Sequence, residues 1–301
     1  MRVADLLRAD GEPVLLFDLS DLPQRAKVTV EYRNGGVGRL EYSVDGTGVF
    51  DLAHARSVWW RRPQAPDLTA VSDANNYAFT FNEWQEAING LWQLIDAPWM
   101  NPPAKDEVAG RKALQLKIAA GLGLRIPRTL ITTDSGAARS FIAEHGLGRT
   151  IYKTFSCTHQ IWRETRLVGQ GEIDKLDHLR LAPVIFQEYI EAAADLRVTV
   201  VGRKIFPAAI YARDTDYPVD FRMSLGQART EAVELPPLVA EKILALMDRL
   251  GLVYGAIDLR RTPEGEYVFL EINTAGEFLF IEQRTGQPIA RAVADWLAKP
   301  V

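Results

Sequence analysis

Three oxygen-bearing side chains near the carboxyl end of this 301-residue chain are spaced as cation ligands: Asp258, Glu271 and Asn273. Asp258 lies in the apolar run Gly255-Ala256-Ile257-Asp258-Leu259, and the other two lie in Val268-Phe269-Leu270-Glu271-Ile272-Asn273. Thr262-Pro263-Glu264-Gly265-Glu266 separates the runs and carries a turn signal, so the stretch predicts a β-hairpin. A strand period of two sends Glu271 and Asn273 to one face, with Phe269 in phase, and turns Leu270 and Ile272 to the other. Oxygen ligands two residues apart, facing an acid across a hairpin, suit a hard cation such as magnesium that also holds phosphate oxygens. A solvated polar hairpin face is the plain alternative.

Cationic residues elsewhere could serve the same chemistry. Lys153 ends the strand-like run Thr150-Ile151-Tyr152-Lys153, and a buried ammonium needs a partner, which an anionic nucleotide phosphate would supply. Snorkelling to water from a strand edge would satisfy it equally. Lys112, in the first turn of a helix after Asn101-Pro102-Pro103, is surface filler when taken alone. Gln187-Glu188-Tyr189-Ile190 closes another strand, and backbone groups at such an exit could pair with a purine edge. Arg61 and Arg62 follow the short run Ser57-Val58-Trp59-Trp60 and precede Pro63. Ligands bind at that end of a strand in open α/β sheets, and paired guanidinium groups grip carboxylates or phosphates bidentately. Surface charges beside a proline turn are the other reading.

The elements that must position these groups are legible in part. Lys27–Tyr32 and Gly38–Tyr42 alternate as half-buried strands around an Asn34-Gly35 turn. Residues 76–95 have helical spacing, with Tyr77, Phe81, Trp84, Ile88, Leu91, Trp92 and Ile95 in one apolar stripe that reads as core. The proline-rich break at 98–103 closes an entry domain over residues 1–100. Helices are predicted over 109–122, 135–145, 236–250 and 288–298, and strands over 126–132, 150–153, 165–168, 183–190, 195–201 and 204–211. The fold class is therefore α/β, in the mixed α+β sense, with units at 1–100, 101–186 and 187–301.

Composition excludes several classes of function. Apolar residues make up 47% and charged residues 25%, as in an ordinary globular protein. The net charge of -4 argues against a general nucleic-acid surface, so no nucleic-acid partner is expected. Cys157 is the single cysteine, which removes disulfide frameworks and multi-cysteine metal sites and points to a reducing cytoplasm. Neither a signal peptide nor a bilayer-spanning apolar run is present, so no membrane partner is expected.

Taken in order, the motifs become specific. Asn101-Pro102-Pro103, Lys112-Ala113-Leu114-Gln115-Leu116 with Gly123 and Pro127-Arg128-Thr129, Tyr152-Lys153, Gln187–Ile190, Asp195-Leu196-Arg197, Asp258 and Phe269–Asn273 together resemble the ATP-grasp ligases. Within that superfamily the chain is most similar to the branch of microviridin-type (graspetide) peptide ligases and ribosomal-protein glutamate ligases. Gly276–Gly286 and Ser57–Pro63 carry the likeness to the microviridin-type side. The resemblance implies an ATP-grasp fold behind an amino-terminal domain and a cytoplasmic ligase that uses ATP and Mg2+. Lys112 and Lys153 would then reach the ATP phosphates. Glu188 and Ile190 would offer backbone groups to adenine with Gln187 and Tyr189 alongside, and Asp195 would lie near the ribose or acceptor. Arg197 and Lys153 would be catalytic, and Asp258, Glu271 and Asn273 would hold two magnesium ions.

The family chemistry is attack of a carboxylate on the γ-phosphate, then attack of an amine or hydroxyl on the acyl phosphate. The implied substrate is a carboxylate-bearing peptide made on the ribosome. Alternatives are a small-molecule ligase, with Arg61, Arg62 and Arg213 on the substrate carboxylates, and a nucleotide-binding module without catalysis. A homodimer is compatible with the sequence. Two departures from the family pattern stand out. The loop after Lys153, residues 154–164, contains no glycine, leaving Ser156, Thr158, His159 and Arg163 as phosphate candidates. Asn273-Thr274-Ala275-Gly276-Glu277 lacks the branch's usual proline and glutamine, which bears on the acceptor.

Overall fold

The computed structural model describes residues 2–155, 164–212, 215–217, 219–223 and 225–300. These form two units, Met1–Asp106 with Ala290–Val301, and Glu107–Ile289.

In the first unit, α1 (Arg2–Ala9) precedes an antiparallel meander of β1 (Ala26–Arg33), β2 (Gly36–Val44) and β3 (Gly48–Asp51). The Asn34-Gly35 turn falls where the sequence places it, and Gly35 and Gly36 take φ of 112° and 131°, which side-chain-bearing residues avoid. Two short parallel strands, β4 (Val58–Trp59) and β5 (Trp99–Met100), bracket helix α2 (Ala74–Trp92). Asp73 caps α2 by accepting the Asn76 N–H at 2.8 Å. Leu40, Tyr42, Ile88, Leu91 and Trp92 form the core of this unit. The apolar stripe of α2 is buried only in its carboxyl half. Tyr77 is exposed and stacks on Phe81, because the first two turns present exposed positions almost throughout. The closing helix, Ile289–Ala298, contributes here through Leu297, whose carbonyl accepts Ser57 Oγ at 2.7 Å.

Helix α3 (Pro103–Ala109) leads into the second unit, which opens with α4 (Lys112–Gly121). Next come β6 (Thr129–Thr132), α5 (Ser135–His145), β7 (Thr150–Lys153), β8 (Arg166–Leu167), the single turn α6 (Gln170–Ile173) and β9 (Val184–Glu188). Their strands make an antiparallel sheet in the order β6-β9-β7-β8. A second antiparallel sheet, ordered β12-β11-β10-β13-β14, is built from β10 (Ala194–Val201), β11 (Lys204–Tyr211), β12 (Arg229–Ala232), β13 (Tyr254–Arg261) and β14 (Tyr267–Asn273). Helix α7 (Pro237–Leu250) precedes β13 and ends at Gly251 in the left-handed region, and α8 (Leu279–Thr285) follows β14.

The five-stranded sheet has two chemically distinct faces. Leu196, Val198, Val200, Ile257, Leu259, Phe269 and Ile272 share a core with Leu116 and Ala119 of α4 and with Ile243, Leu246 and Met247 of α7. The intervening residues, Asp195, Arg197, Asp258, Arg260 and Glu271, carry the charge. Among the described residues no helix is long and apolar enough to cross a membrane.

Leu246 is fully buried in this core. Leu246→Ala is expected to cost about 2–5 kcal/mol of unfolding free energy in urea titrations, from lost transfer energy plus a residual cavity; a cost below about 1 kcal/mol would show that α7 does not anchor the sheet.

Candidate active site

Antiparallel pairing sets Arg197 of β10 opposite Asp258 of β13, and Asp258 opposite Glu271 of β14. Three charged side chains therefore stand in one rung of the sheet. Arg197 Nη1 donates to both carboxylate oxygens of Asp258, at 2.8 and 2.9 Å, and Nη2 donates to the Glu277 carbonyl at 3.3 Å. The register shifts just beyond this rung. Leu259 pairs with Phe269, leaving Leu270 as an extra, bulged residue. Phe269 consequently packs into the core with Ile272. Strict alternation had put Phe269 on the face of Glu271; the bulge reverses its phase and leaves Glu271 aimed away from the core.

Helix α4 brings in the first lysine. The sequence suggests one helix over 109–122, but the chain breaks at Gly110-Arg111, with Arg111 extended at the cap, and restarts at Lys112. One turn later Gln115, on the same helical face, is only 2% exposed. Its Nε2 donates to the carbonyls of Ala109 and Ile272 at 2.7 and 2.9 Å, and its Oε1 accepts the Ile272 N–H at 3.1 Å. The amide thus pairs with the outer edge of β14 much as a neighbouring strand would, and fixes α4 beside Glu271. Lys112 Nζ donates to Glu271 Oε2, and Lys153 Nζ, from the end of β7, lies 3.8 Å from the same oxygen.

Two ammonium groups from different elements thus share one carboxylate. Burial works to raise the Glu271 pKa, but Lys153, Lys112 and Arg222 outweigh it and hold the carboxyl at about 2. Burial, aided by Lys112 and Arg222, draws the Lys153 ammonium below its usual range against the pull of Glu271 and Asp258. Burial raises Asp258, with Arg197 opposing. Arg222 was not evident from sequence. Its Nε and Nη2 hold Asp220 at 2.8 and 2.5 Å, and its charge is felt by Asp258 and Glu271. The only sequence signal was an acid–base pair two residues apart in an irregular stretch. Gln115 stands in the Lys112–Leu116 motif without a role that the sequence assigns to it.

At the end of β9, Glu188 N–H donates to the Arg128 carbonyl at 2.9 Å and Tyr189 N–H to the Arg149 carbonyl at 2.8 Å. The Glu188 carboxylate accepts the Arg128 N–H at 3.2 Å. Gln187 is buried, with Nε2 donating to Thr129 Oγ1 at 2.9 Å, so its side chain braces β9 against β6. Ile190 offers its carbonyl to Arg260 at 2.9 Å, and Asp195 pairs with Arg260 Nε at 2.8 Å. Asn273 is exposed; its Oδ1 accepts the Ala275 N–H at 3.0 Å and opens the turn after β14.

Among the described residues, no group of three or more His, Cys, Asp or Glu side chains is arranged to hold a metal. Asp258, Glu271 and Asn273 supply two carboxylates and an amide, a donor set that suits magnesium retaining water and phosphate ligands. Arg61 and Arg62 belong to the first unit, where the Arg61 guanidinium lies 5.6 Å from the Trp59 ring centre. Arg213, together with Ser156, Cys157, Thr158, His159 and Arg163, lies outside the described residues.

Antiparallel sheets of four and five strands, with lysines from α4 and β7 converging on an acid-bearing hairpin, place the chain in the ATP-grasp class of folds. The chain belongs to the RimK-like ATP-grasp domain family, whose model matches residues 109–297. Among solved structures it is similar to the macrocyclase MdnC from Microcystis aeruginosa MRC, bound with precursor peptide MdnA. Identity is 32% and the TM-score 0.89, covering 99% of this chain and 95% of that one. A RiPP-associated ATP-grasp ligase of Chryseobacterium gregarium, solved with ADP and a leader and core peptide, is 28% identical with a TM-score of 0.90, covering 100% and 92%. A curated relative, probable alpha-L-glutamate ligase 2 of Shewanella amazonensis, is 31% identical over 198 residues; the match spans 63% of this chain and 63% of that protein's length.

Gly276 lies against the site-bearing face. A Cβ there would come within 2.4 Å of the Ala256 Cβ and 2.8 Å of Arg197 Nη2, and Tyr254 Oη donates to its carbonyl at 2.6 Å. Gly276→Ala is expected to cost about 1–3 kcal/mol in thermal or urea unfolding by overpacking. Adding Ala256→Gly should recover at least half of that loss in a double-mutant cycle, and strict additivity would contradict the close approach.

Proposed function

We propose that this chain is an ATP-dependent ligase that activates a peptide carboxylate as an acyl phosphate and joins it to an amine or hydroxyl. The observation that carries the reading is the convergence of Lys112 and Lys153 on Glu271, in the rung that also holds Asp258 and Arg197. The two ammonium groups would bind the triphosphate from two sides, with the exit of β9 at Glu188–Ile190, flanked by Gln187, lining the adenine. Asp258, Glu271 and Asn273 would hold magnesium, which when bound neutralises charge on the phosphates. A substrate carboxylate oxygen attacks the γ-phosphorus, and the bond to the β–γ bridging oxygen breaks, its electron pair leaving on ADP. Arg197 and Arg222 stabilise charge on the transferring phosphoryl group. The acceptor then attacks the acyl carbon, phosphate departs, and the acceptor loses a proton. Such a reaction asks the protein for positioning and charge, which are what these side chains supply.

A ribosomally made precursor is the preferred substrate, because two solved neighbours that match nearly the whole chain were captured with precursor, leader or core peptides. A small-molecule or amino-acid ligase is the second reading, favoured by the glutamate-ligase relatives, which match over 63% of their length. An inactive nucleotide-binding module is disfavoured by the full set of lysines and acids. We place the enzyme in the cytoplasm, with Arg61, Arg62 and Arg213 as candidate contacts for substrate carboxylates.

The test is ADP release and product mass for the purified protein with ATP and Mg2+, supplied either with a precursor rich in Asp, Glu, Ser, Thr and Lys or with free glutamate. Peptide-dependent ADP release with loss of one water per bond formed is expected. Equal release with glutamate alone would transfer the assignment to the second reading. Glu271→Ala should lower peptide-dependent turnover by about a hundredfold or more, as removal of a major electrostatic group does; unchanged turnover would sink the mechanism.

A further inference from the structure

Next to the Arg197–Asp258 rung lies a second ion pair with the signs reversed. Asp195 of β10 stands opposite Arg260 of β13, so the two strands carry Asp195 and Arg197 against Arg260 and Asp258, a square of alternating charge. The second pair is nearly sealed from solvent, Asp195 at 3% exposure and Arg260 at 6%. Arg260 Nε donates to Asp195 Oδ1 at 2.8 Å, and this is the one bond of the guanidinium that goes to the carboxylate, whose Oδ2 is buried without a hydrogen-bond partner among the described residues. The guanidinium makes two further bonds in fixed directions. Nη1 donates to the Ile190 carbonyl at 2.9 Å and Nη2 to the Val219 carbonyl at 3.2 Å, while the group lies 5.7 Å from the Tyr189 ring centre.

These two carbonyls belong to segments with different duties. Ile190 and Tyr189 form the exit of β9. Val219 immediately precedes Asp220, whose carboxylate accepts from Arg222 and from the Thr165 N–H at 3.2 Å. The Arg222 charge in turn is felt by the carboxylates of Asp258 and Glu271. A buried ion pair adds little net stability over an apolar pair of the same size, whereas a planar fork with several donors fixes the relative placement of whatever it holds.

We propose that Arg260 is a positioning residue that locks the strand exit lining the nucleotide base to the 219–222 segment carrying Arg222, so that base and phosphate ends of the site are held at one fixed separation. This rests on the nucleotide reading given under Proposed function. Arg260→Lys keeps the charge opposite Asp195 but cannot reach both carbonyls with one ammonium. It therefore separates the fork from the charge.

The test is calorimetric titration of Mg2+–ADP into the full chain, wild type and Arg260→Lys, well below both melting temperatures. A second variant, Asp195→Leu with Arg260→Met, removes both charges together so that no buried ion is stranded. Both variants are expected to bind ADP about tenfold more weakly than wild type, the equivalent of about 1.4 kcal/mol. Combining Arg260→Lys with Arg222→Lys should cost less than the product of the two separate losses, because the first already displaces the second. A lowered melting temperature with ADP affinity within about twofold of wild type, in whichever variant folds, would reduce Arg260 to a structural role and overturn the proposal while leaving the nucleotide reading intact. Failure of the wild type to bind Mg2+–ADP would overturn both.

Discussion

The register between β13 and β14 is the constraint on which the site depends. Because Asp258 pairs with Glu271 and Leu270 is then bulged out, both flanking apolar residues, Phe269 and Ile272, reach the core while Glu271 stays on the opposite face. A strand without the bulge would have to bury either Phe269 or Glu271 wrongly. Gln115 adds the second half of the constraint by pairing with the backbone of Ile272 along the outer edge of β14. The residue that stabilises the edge therefore sits on the helix that carries Lys112, so packing and charge placement are set by the same contact.

Both carboxylates of the rung are paired within the site. Glu271 is held by Lys112 and Lys153, and Asp258 by Arg197. On the proposed reading a triphosphate would draw the ammonium groups and a divalent cation would draw the carboxylates. Either partner arriving alone would leave the opposite set of buried charges uncompensated, which is costly in a poorly solvated site. The two ligands should therefore favour one another's binding, a coupling that follows from charge balance and needs no large conformational change.

Much of this was legible in the chain because its local signals agree with the fold. The β13–β14 hairpin shows a turn flanked by alternating apolar residues, α7 shows helical spacing closed by Gly251, and β10–β11 shows two strands around a two-residue turn at Gly202-Arg203. The lysine and acid candidates each had a plain reading as well, a snorkelling Lys153, a surface Lys112 and a solvated hairpin face, and it is the order of the motifs along the chain that singles them out. The features without a local signal depend on distant pairing. The bulge at Leu270 follows from the register with β13, and the clamp at Gln115 from a backbone 157 residues away. The break at Gly110-Arg111 divides what periodicity presents as one helix. The resemblance implies a place for Asp195 near the ribose or acceptor, and its ion pair with Arg260, 65 residues further on, gives no local signal. The likeness seen in the ordered motifs agrees with the RimK-like match and with structural neighbours spanning the whole chain.

The central claim is that one rung of the sheet, together with the lysines of α4 and β7, forms a joint nucleotide and metal site. Its most direct measurement is the affinity of ADP, by calorimetry, across a titration of Mg2+ that begins with chelator present. The account predicts that Mg2+ tightens ADP binding by about tenfold or more, at least about 1.4 kcal/mol of coupling, and that Glu271→Gln abolishes the Mg2+ dependence. ADP binding of equal strength with and without Mg2+ in the wild type would contradict it.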